Sequence, residues 1–374
     1  MEHYFATVAR GLEELAAQEL QELGAKKVQP GFCGVSFKGD RALLYRTNLW
    51  ARLPFRILRR LQHVSCRTAE ELYNGIQTID WSDYLNPDYS LAVTATGKNN
   101  RLNHSHFTAL QVKNAIVDQQ RQRFSARSFV DAKHPDVRIN VHINRDRCVV
   151  SLDSSGNSLH RRGYRSAMGA APLKESLASA LIRLSDWQPD QTFFDPLCGS
   201  GTLPLEASLQ ALNLAPGLMR DRFGFQTWMD FDFDLWQGLL SEAQAQQKTT
   251  VPGLILGSDN NPDVIEQAQF NAQQCGVQTW VNFETRELST IEPPTDSGVI
   301  FCNPPYGERL SSSQELGEFY RQLGTTFKER FKGWVAYVLS GNKKLSQTIG
   351  LRSSDRFAVY NGSLPCQLLR YELF

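Results

Sequence analysis

The chain has 374 residues, 41% of them hydrophobic and 21% charged, with a formal net charge of +1. That length can bury at least two cores, and the composition excludes a disordered or collagen-like chain. No uninterrupted apolar run reaches the ~18 residues needed to cross a bilayer, and Glu2, Glu13, Glu14 and Glu19 interrupt the first twenty residues in a way no secretory leader does, so a cytoplasmic address is expected.

The small net charge hides an asymmetry. Residues 1–165 hold 24 Lys/Arg against 16 Asp/Glu, a balance of +8, whereas residues 166–374 hold 16 against 23, a balance of −7. A basic first half suits phosphate contact, because neutralising phosphates releases condensed counterions; a solvated surface gives the same count. The seven cysteines are scattered and never form Cys-x-x-Cys, and of the seven histidines only His104 and His106 sit close together. Neither a disulfide framework nor a metal site is indicated.

In chain order, residues 4–8 read as a strand and residues 9–23 as a helix, with Leu12, Leu15, Ala16 and Leu20 on one face and Gly24 past its end. A hairpin through Gly31 and Gly34, a helix over 42–49 and a strand over 57–64 complete a small ferredoxin-like α+β pattern. Next come a helix after Ala69, a strand over 90–95, a long helix over 105–122 and a hairpin. In that hairpin Val137, Ile139, Val141 and Ile143 alternate with polar residues before the turn at 144–147. The Gly-containing, basic stretch 153–165 reads as a connection. After Pro172 a helix over 173–184 leads into alternating short strands, at 192–194, 253–256, 281–284, 299–301 and 334–339, and helices. This alternation predicts a doubly wound, largely parallel sheet, whose ligands bind beyond the carboxyl ends of the strands.

The residues at those strand ends carry the chemistry. The first strand runs into Asp195-Pro196-Leu197-Cys198-Gly199-Ser200-Gly201-Thr202, a turn whose glycines let backbone approach a ligand beside a helix N-terminus. It lacks the third glycine of a dinucleotide fingerprint, which favours a compact nucleotide without a diphosphate. The second strand ends in Asp259, followed by Asn260 and then Asn261-Pro262 as a helix start. Asp259 can accept from both ribose hydroxyls, or simply form an Asx-turn. Beyond the third strand, Glu284 or Glu287 could accept from an adenine amino group.

The fourth strand ends in Asn303-Pro304-Pro305-Tyr306. Two prolines remove two amide donors, leaving the Asn303 carboxamide oxygen and the Pro304 carbonyl as acceptors. An aromatic amine is a weak nucleophile; two acceptors gripping its hydrogens turn its lone pair toward an electrophilic methyl and bear the charge that builds on nitrogen. Tyr306 can stack on the base.

With the sheet, the glycine turn and Asn-Pro-Pro-Tyr in view, the chain resembles class I methyltransferases acting on exocyclic amines, among which are DNA adenine-N6 and RNA guanine-N2 enzymes. More narrowly it resembles the THUMP-domain RNA methyltransferases related to bacterial large-subunit ribosomal RNA guanine-N2 methyltransferases. His160-Arg161-Arg162-Gly163-Tyr164-Arg165, Ala171-Pro172-Leu173-Lys174-Glu175, residues 303–310 and Asn361-Gly362-Ser363-Leu364-Pro365-Cys366 carry the likeness over essentially the full length.

The resemblance implies a ferredoxin-like unit at 1–65, a THUMP RNA-binding domain at 66–155, a connector at 156–172 and, at 173–374, a Rossmann-like α/β methyltransferase domain with a largely parallel seven-stranded sheet. It implies S-adenosylmethionine as cofactor, held by Asp195, Pro196, Leu197, Gly199, Gly201, Thr202, Asp259, Asn260 and Glu287. Asn303, Pro304, Pro305 and Tyr306 are the implied catalytic residues, and no metal is implied. Many relatives carry Asp where this chain has Glu287. Large-subunit (23S) rRNA is the implied partner. Transfer RNA, DNA adenine methylation and a non-catalytic ribosome-assembly role remain alternatives. The insert 215–248, with Trp228, Phe231, Phe233 and Trp236 among acidic residues, is expected to pack or act as a lid, and Lys174 and Glu175, at the start of a helix, either to help close the cofactor site or to take ordinary surface or capping roles.

Overall fold

The computed structural model describes residues 1–165, 173–305 and 313–374. The first strands and helices are β1 (Glu2–Thr7), α1 (Glu13–Glu22), β2 (Lys26–Gly31), β3 (Gly34–Gly39), α2 (Arg41–Trp50) and β4 (Arg56–Ser65). They continue with α3 (Ala69–Gln77), β5 (Leu91–Lys98), α4 (Ser105–Phe124), β6 (Val137–Asn144) and β7 (Arg147–Asp153). The expected helix over 9–23 begins only at Glu13, because Gly11 takes φ +85° and turns the chain first. Helix α2 starts where it does because the Asp40 side chain accepts from the Leu43 amide at 2.8 Å, and Thr68 caps α3 in the same way.

These seven strands form one sheet in the order β2-β3-β1-β4-β7-β6-β5. The long strand β4 pairs antiparallel with both β1 and β7, so the ferredoxin-like strands and those after Ser65 share a single hydrogen-bonded ladder. In β6 the four alternating apolar residues point into the core, as their period of two requires.

Chain contacts divide the molecule into two units, the first made of residues 1–7, 17–159 and 221–240 and the second of residues 8–16, 160–220 and 241–374. Part of the aromatic insert therefore belongs with the first unit. There Tyr45 stacks on Phe225 at 4.3 Å and meets Trp236 edge-on at 6.0 Å, while Asp230 is held by Arg59 at 2.6 Å. Packing is the role of these rings, although Phe233 stays exposed.

The second unit contains α5 (Glu175–Arg183), β8 (Phe193–Asp195), α6 (Thr202–Ala211), β9 (Ile255–Asp259), α8 (Pro262–Cys275), β10 (Asn282–Thr285) and β11 (Val299–Cys302), with α7 (Phe233–Ala245) beginning in the insert. It ends with α9 (Ser313–Arg330), β12 (Val335–Ser340), α10 (Lys343–Thr348), β13 (Asp355–Asn361) and β14 (Leu364–Glu372). Its sheet runs β10-β9-β8-β11-β12-β14-β13, with the first five strands parallel and β14 antiparallel to both of its neighbours, β12 and β13. This is the seven-stranded, largely parallel sheet expected. Phe193, Phe301 and Tyr337 stack across β8, β11 and β12 at 4.8 and 5.1 Å, and the rings fix the strand that ends in Asn303. Among the described residues no helix is long and apolar enough to cross a membrane.

Candidate active site

Strands β10, β9, β8 and β11 run parallel, so their carboxyl ends share one edge of the sheet. Asp195 and Asp259 are the last residues of β8 and β9, and Glu287 and Asn303 follow the ends of β10 and β11. Asp195 is 2% exposed, and its Oδ1 accepts the Leu197 amide at 3.0 Å. Burial, reinforced by the nearby Asp259 carboxylate, drives its carboxyl well above the usual carboxylate range. Such a group gains from a cationic partner. Pro196 is buried and Leu197 half-buried beside it.

The glycine turn is closed by its own backbone, with the Gly201 amide donating to the Cys198 carbonyl and the Cys198 amide to the Ser258 carbonyl, both at 2.9 Å. Gly201 has φ +83°, and a Cβ there would stand 2.7 Å from the Phe283 ring. A Cβ on Gly199 would meet nothing within 4 Å, so open space adjoins the turn at that residue. The half-buried Asp259 binds two amides, accepting from Gly199 on Oδ2 at 3.1 Å and from Asn261 on Oδ1 at 3.0 Å. The Asx-turn is thus formed, and the same carboxylate ties it to the glycine turn. Asn260 is exposed.

The two candidate adenine acceptors differ. Glu284 is taken by Arg286 at 2.7 Å and by the Asn282 amide group at 3.0 Å. Glu287 is exposed and forms no side-chain hydrogen bond among the described residues.

Asn303 is half-buried, and its Oδ1 is shut away from solvent with no hydrogen-bond partner among the described residues. A buried carbonyl oxygen left unpaired is costly unless something else fills its lone pairs. Pro304 is buried and Pro305 half-buried next to it, and neither has an N–H to offer. The adjoining thiols of Cys198 and Cys302 are pushed up by burial, so they stay protonated and inert. Tyr306 lies outside the described residues, as do Ala171, Pro172 and residues 307–310.

Sequence reasoning missed the support beneath the turn. Thr202, the first residue of α6, accepts a 2.7 Å bond from Arg165, which also reaches the Leu173 carbonyl and pairs with Glu175 at 3.6 Å. Glu175 is buried, against the surface alternative, and burial raises its carboxyl. Below it Arg162, 1% exposed, grips Glu206 with two contacts of 3.3 Å, and Tyr164 and Ser179 donate to the same carboxylate. A run of cations reads as a solvated face. Its only warning here was that the run formed part of a family motif.

The chain matches the RMKL-like methyltransferase domain over residues 162–370, the THUMP domain over 66–153 and the RlmL ferredoxin-like domain over 3–58. A protein of Synechocystis sp. with the provisional name of an RNA methyltransferase is 56% identical over 371 residues, which cover 99% of this chain and 97% of that one. The ribosomal RNA large subunit methyltransferase K/L of Syntrophotalea carbinolica is 39% identical, and the match takes in 99% of this chain but 53% of the relative, so the chain spans about half of that protein's length. A crystal structure of a protein provisionally named a methyltransferase, complexed with SAH, has a TM-score of 0.90 at 31% identity and covers 100% of this chain and 98% of its own. Matched in all three of its parts and along nearly its whole length, the chain belongs to the RMKL-like methyltransferase family, with ferredoxin-like and THUMP domains ahead of the methyltransferase domain.

Proposed function

We propose that the chain transfers a methyl group from S-adenosylmethionine to the exocyclic N2 amine of a guanine in RNA, the large-subunit (23S) rRNA being the substrate, in the cytoplasm. The observation that carries this reading is the buried Oδ1 of Asn303 just past the carboxyl end of β11, which has no hydrogen-bond partner among the described residues. An acceptor kept dry and unpaired suits an amine that arrives with the substrate.

The residues present fit the cofactor. The open space at Gly199 gives it room, the buried Asp195 carboxyl gains from an amino-acid ammonium, and the remaining lone pairs of Asp259 suit ribose hydroxyls. Glu287 rather than Glu284 is the adenine acceptor, since Glu284 is spent on Arg286. When bound, S-adenosylmethionine supplies an electrophilic methyl on a sulfonium.

The chain's own part is positioning. Asn303 Oδ1 and the Pro304 carbonyl accept the two amine hydrogens, aim the nitrogen lone pair and stabilise the positive charge that develops on it. Tyr306 stacks on the flipped base. The THUMP domain and the basic first half bring RNA, work that DNA adenine methylation would leave without purpose. Incubation with radiolabelled methyl donor and undermodified rRNA tests the reading: N2-methylguanosine should form, and its absence from every RNA tried would refute it.

A further inference from the structure

Next to the strand that ends in Asn303 lies a cavity the proposed reaction does not use. It is a partly open cleft of about 280 Å³, just under the roughly 300–1,000 Å³ of ordinary ligand pockets. Ser340, Lys343, Tyr360, Pro365 and Gln367 are among its lining residues, and among the described residues none that lines it is acidic. The register fixes its place. Cys302 on β11 is level with Val338 on β12, Ser340 with Gln367 on β14, and Tyr360 on β13 with Pro365. The cavity thus adjoins the sheet edge that carries Asn303, beginning one strand spacing of about 4.8 Å away.

Its chemistry is specific. Lys343 and Lys344 are exposed and enter no ion pair among the described residues. Tyr360 is half-buried, and the Arg10 guanidinium sits over its ring at 4.8 Å. Gly11 makes that contact possible, since its backbone passes so close to β13 that a Cβ would lie 3.2 Å from the Ala358 carbonyl. Asn361-Gly362-Ser363-Leu364-Pro365-Cys366, a family motif with no role in the proposed chemistry, turns the β13–β14 hairpin at the cavity's rim. An aromatic plate braced by one cation, an exposed second cation and an exposed amide are what a single-stranded nucleotide needs, through stacking, phosphate contact and a base-edge hydrogen bond.

We propose that this cavity is a subsite for a nucleotide flanking the target in single-stranded RNA. Tyr360 stacks its base, Lys343 meets its phosphate and Gln367 contacts its edge. The subsite rests on the RNA reading above, but binding tests it separately from methyl transfer. The full chain is titrated with a labelled single-stranded RNA of about a dozen mixed G and U nucleotides. Tyr360→Ala should weaken binding about tenfold, Tyr360→Phe should stay within about twofold of the parent, and affinity for S-adenosylhomocysteine should not change. Lys343→Ala should lower the slope of log affinity against log salt by about 0.7. RNA binding by Tyr360→Ala and Lys343→Ala equal to the parent's, in a parent that methylates RNA, overturns the subsite alone. An equal fall in S-adenosylhomocysteine affinity marks general damage and also overturns it. A parent that shows these binding effects yet methylates no RNA upholds the subsite and removes the functional reading.

Discussion

The Gly199 amide donates to Asp259 Oδ2 at 3.1 Å, so the turn after β8 and the carboxylate ending β9 form one hydrogen-bonded unit. Asp259→Ala removes the acceptor that shapes the turn and the one proposed for the ribose together. Charge-assisted hydrogen bonds of this kind are worth about 1.5–3 kcal/mol. Calorimetric affinity for S-adenosylhomocysteine should therefore fall roughly ten- to a hundredfold, with Asp259→Asn, which keeps one acceptor oxygen, in between. Unchanged affinity in the alanine variant would show that the cofactor binds elsewhere.

Asn303→Ala should lower kcat by about 10²–10³, the cost of losing one preorganised polar group, while RNA affinity changes little. Single-turnover transfer measured beside equilibrium binding separates the two. A loss of binding as large as the loss of rate would contradict the assignment of Asn303 to the reacting amine.

Breaking the Arg162–Glu206 pair from one side leaves a charge stranded in the core. Arg162→Met should cost about 3–5 kcal/mol in a denaturant titration. Replacing both partners with apolar residues should recover only part of this, because Tyr164 and Ser179 also donate to Glu206. A loss below 1 kcal/mol in the single variant would mean that the pair carries little of the unit's stability.

His160 is held down to about 4 from 6.5, first by burial and then by Lys174, Arg162, Arg161 and Arg165. A folded-state pKa below the unfolded one gives stability that is complete above about 6.5 and is lost as pH falls toward 4. Melting temperatures of His160→Gln should thus decline less than the parent's across that window, and parallel curves would exclude the linkage.

The elements proposed to carry chemistry were legible as local structure because their signals are local. Gly199 and Gly201 at a strand end, Asn261-Pro262 as a helix start and Asn303 before two prolines each state their geometry within a few residues. Arg162 was not legible, since burial of a guanidinium depends on a glutamate 44 positions away. The proposal of Glu287 over Glu284 rests on Arg286, a neighbour visible in the sequence whose side-chain direction was not. The insert's aromatic rings could be read as a packing surface, but nothing local said that their partner would be Tyr45, some 180 positions earlier.

That distant pairing bears on how the chain is made. Residues 221–240 complete the first unit, yet the ribosome delivers them only after the whole stretch 160–220, which belongs to the other. At about 5–20 residues per second, the nascent N-terminal sheet waits several seconds with the face around Tyr45 uncovered. A fragment stopping near residue 155 would keep every strand of that sheet and still lack Phe225 and Trp236. Its aggregation would come from a missing cover, not from a defective ladder.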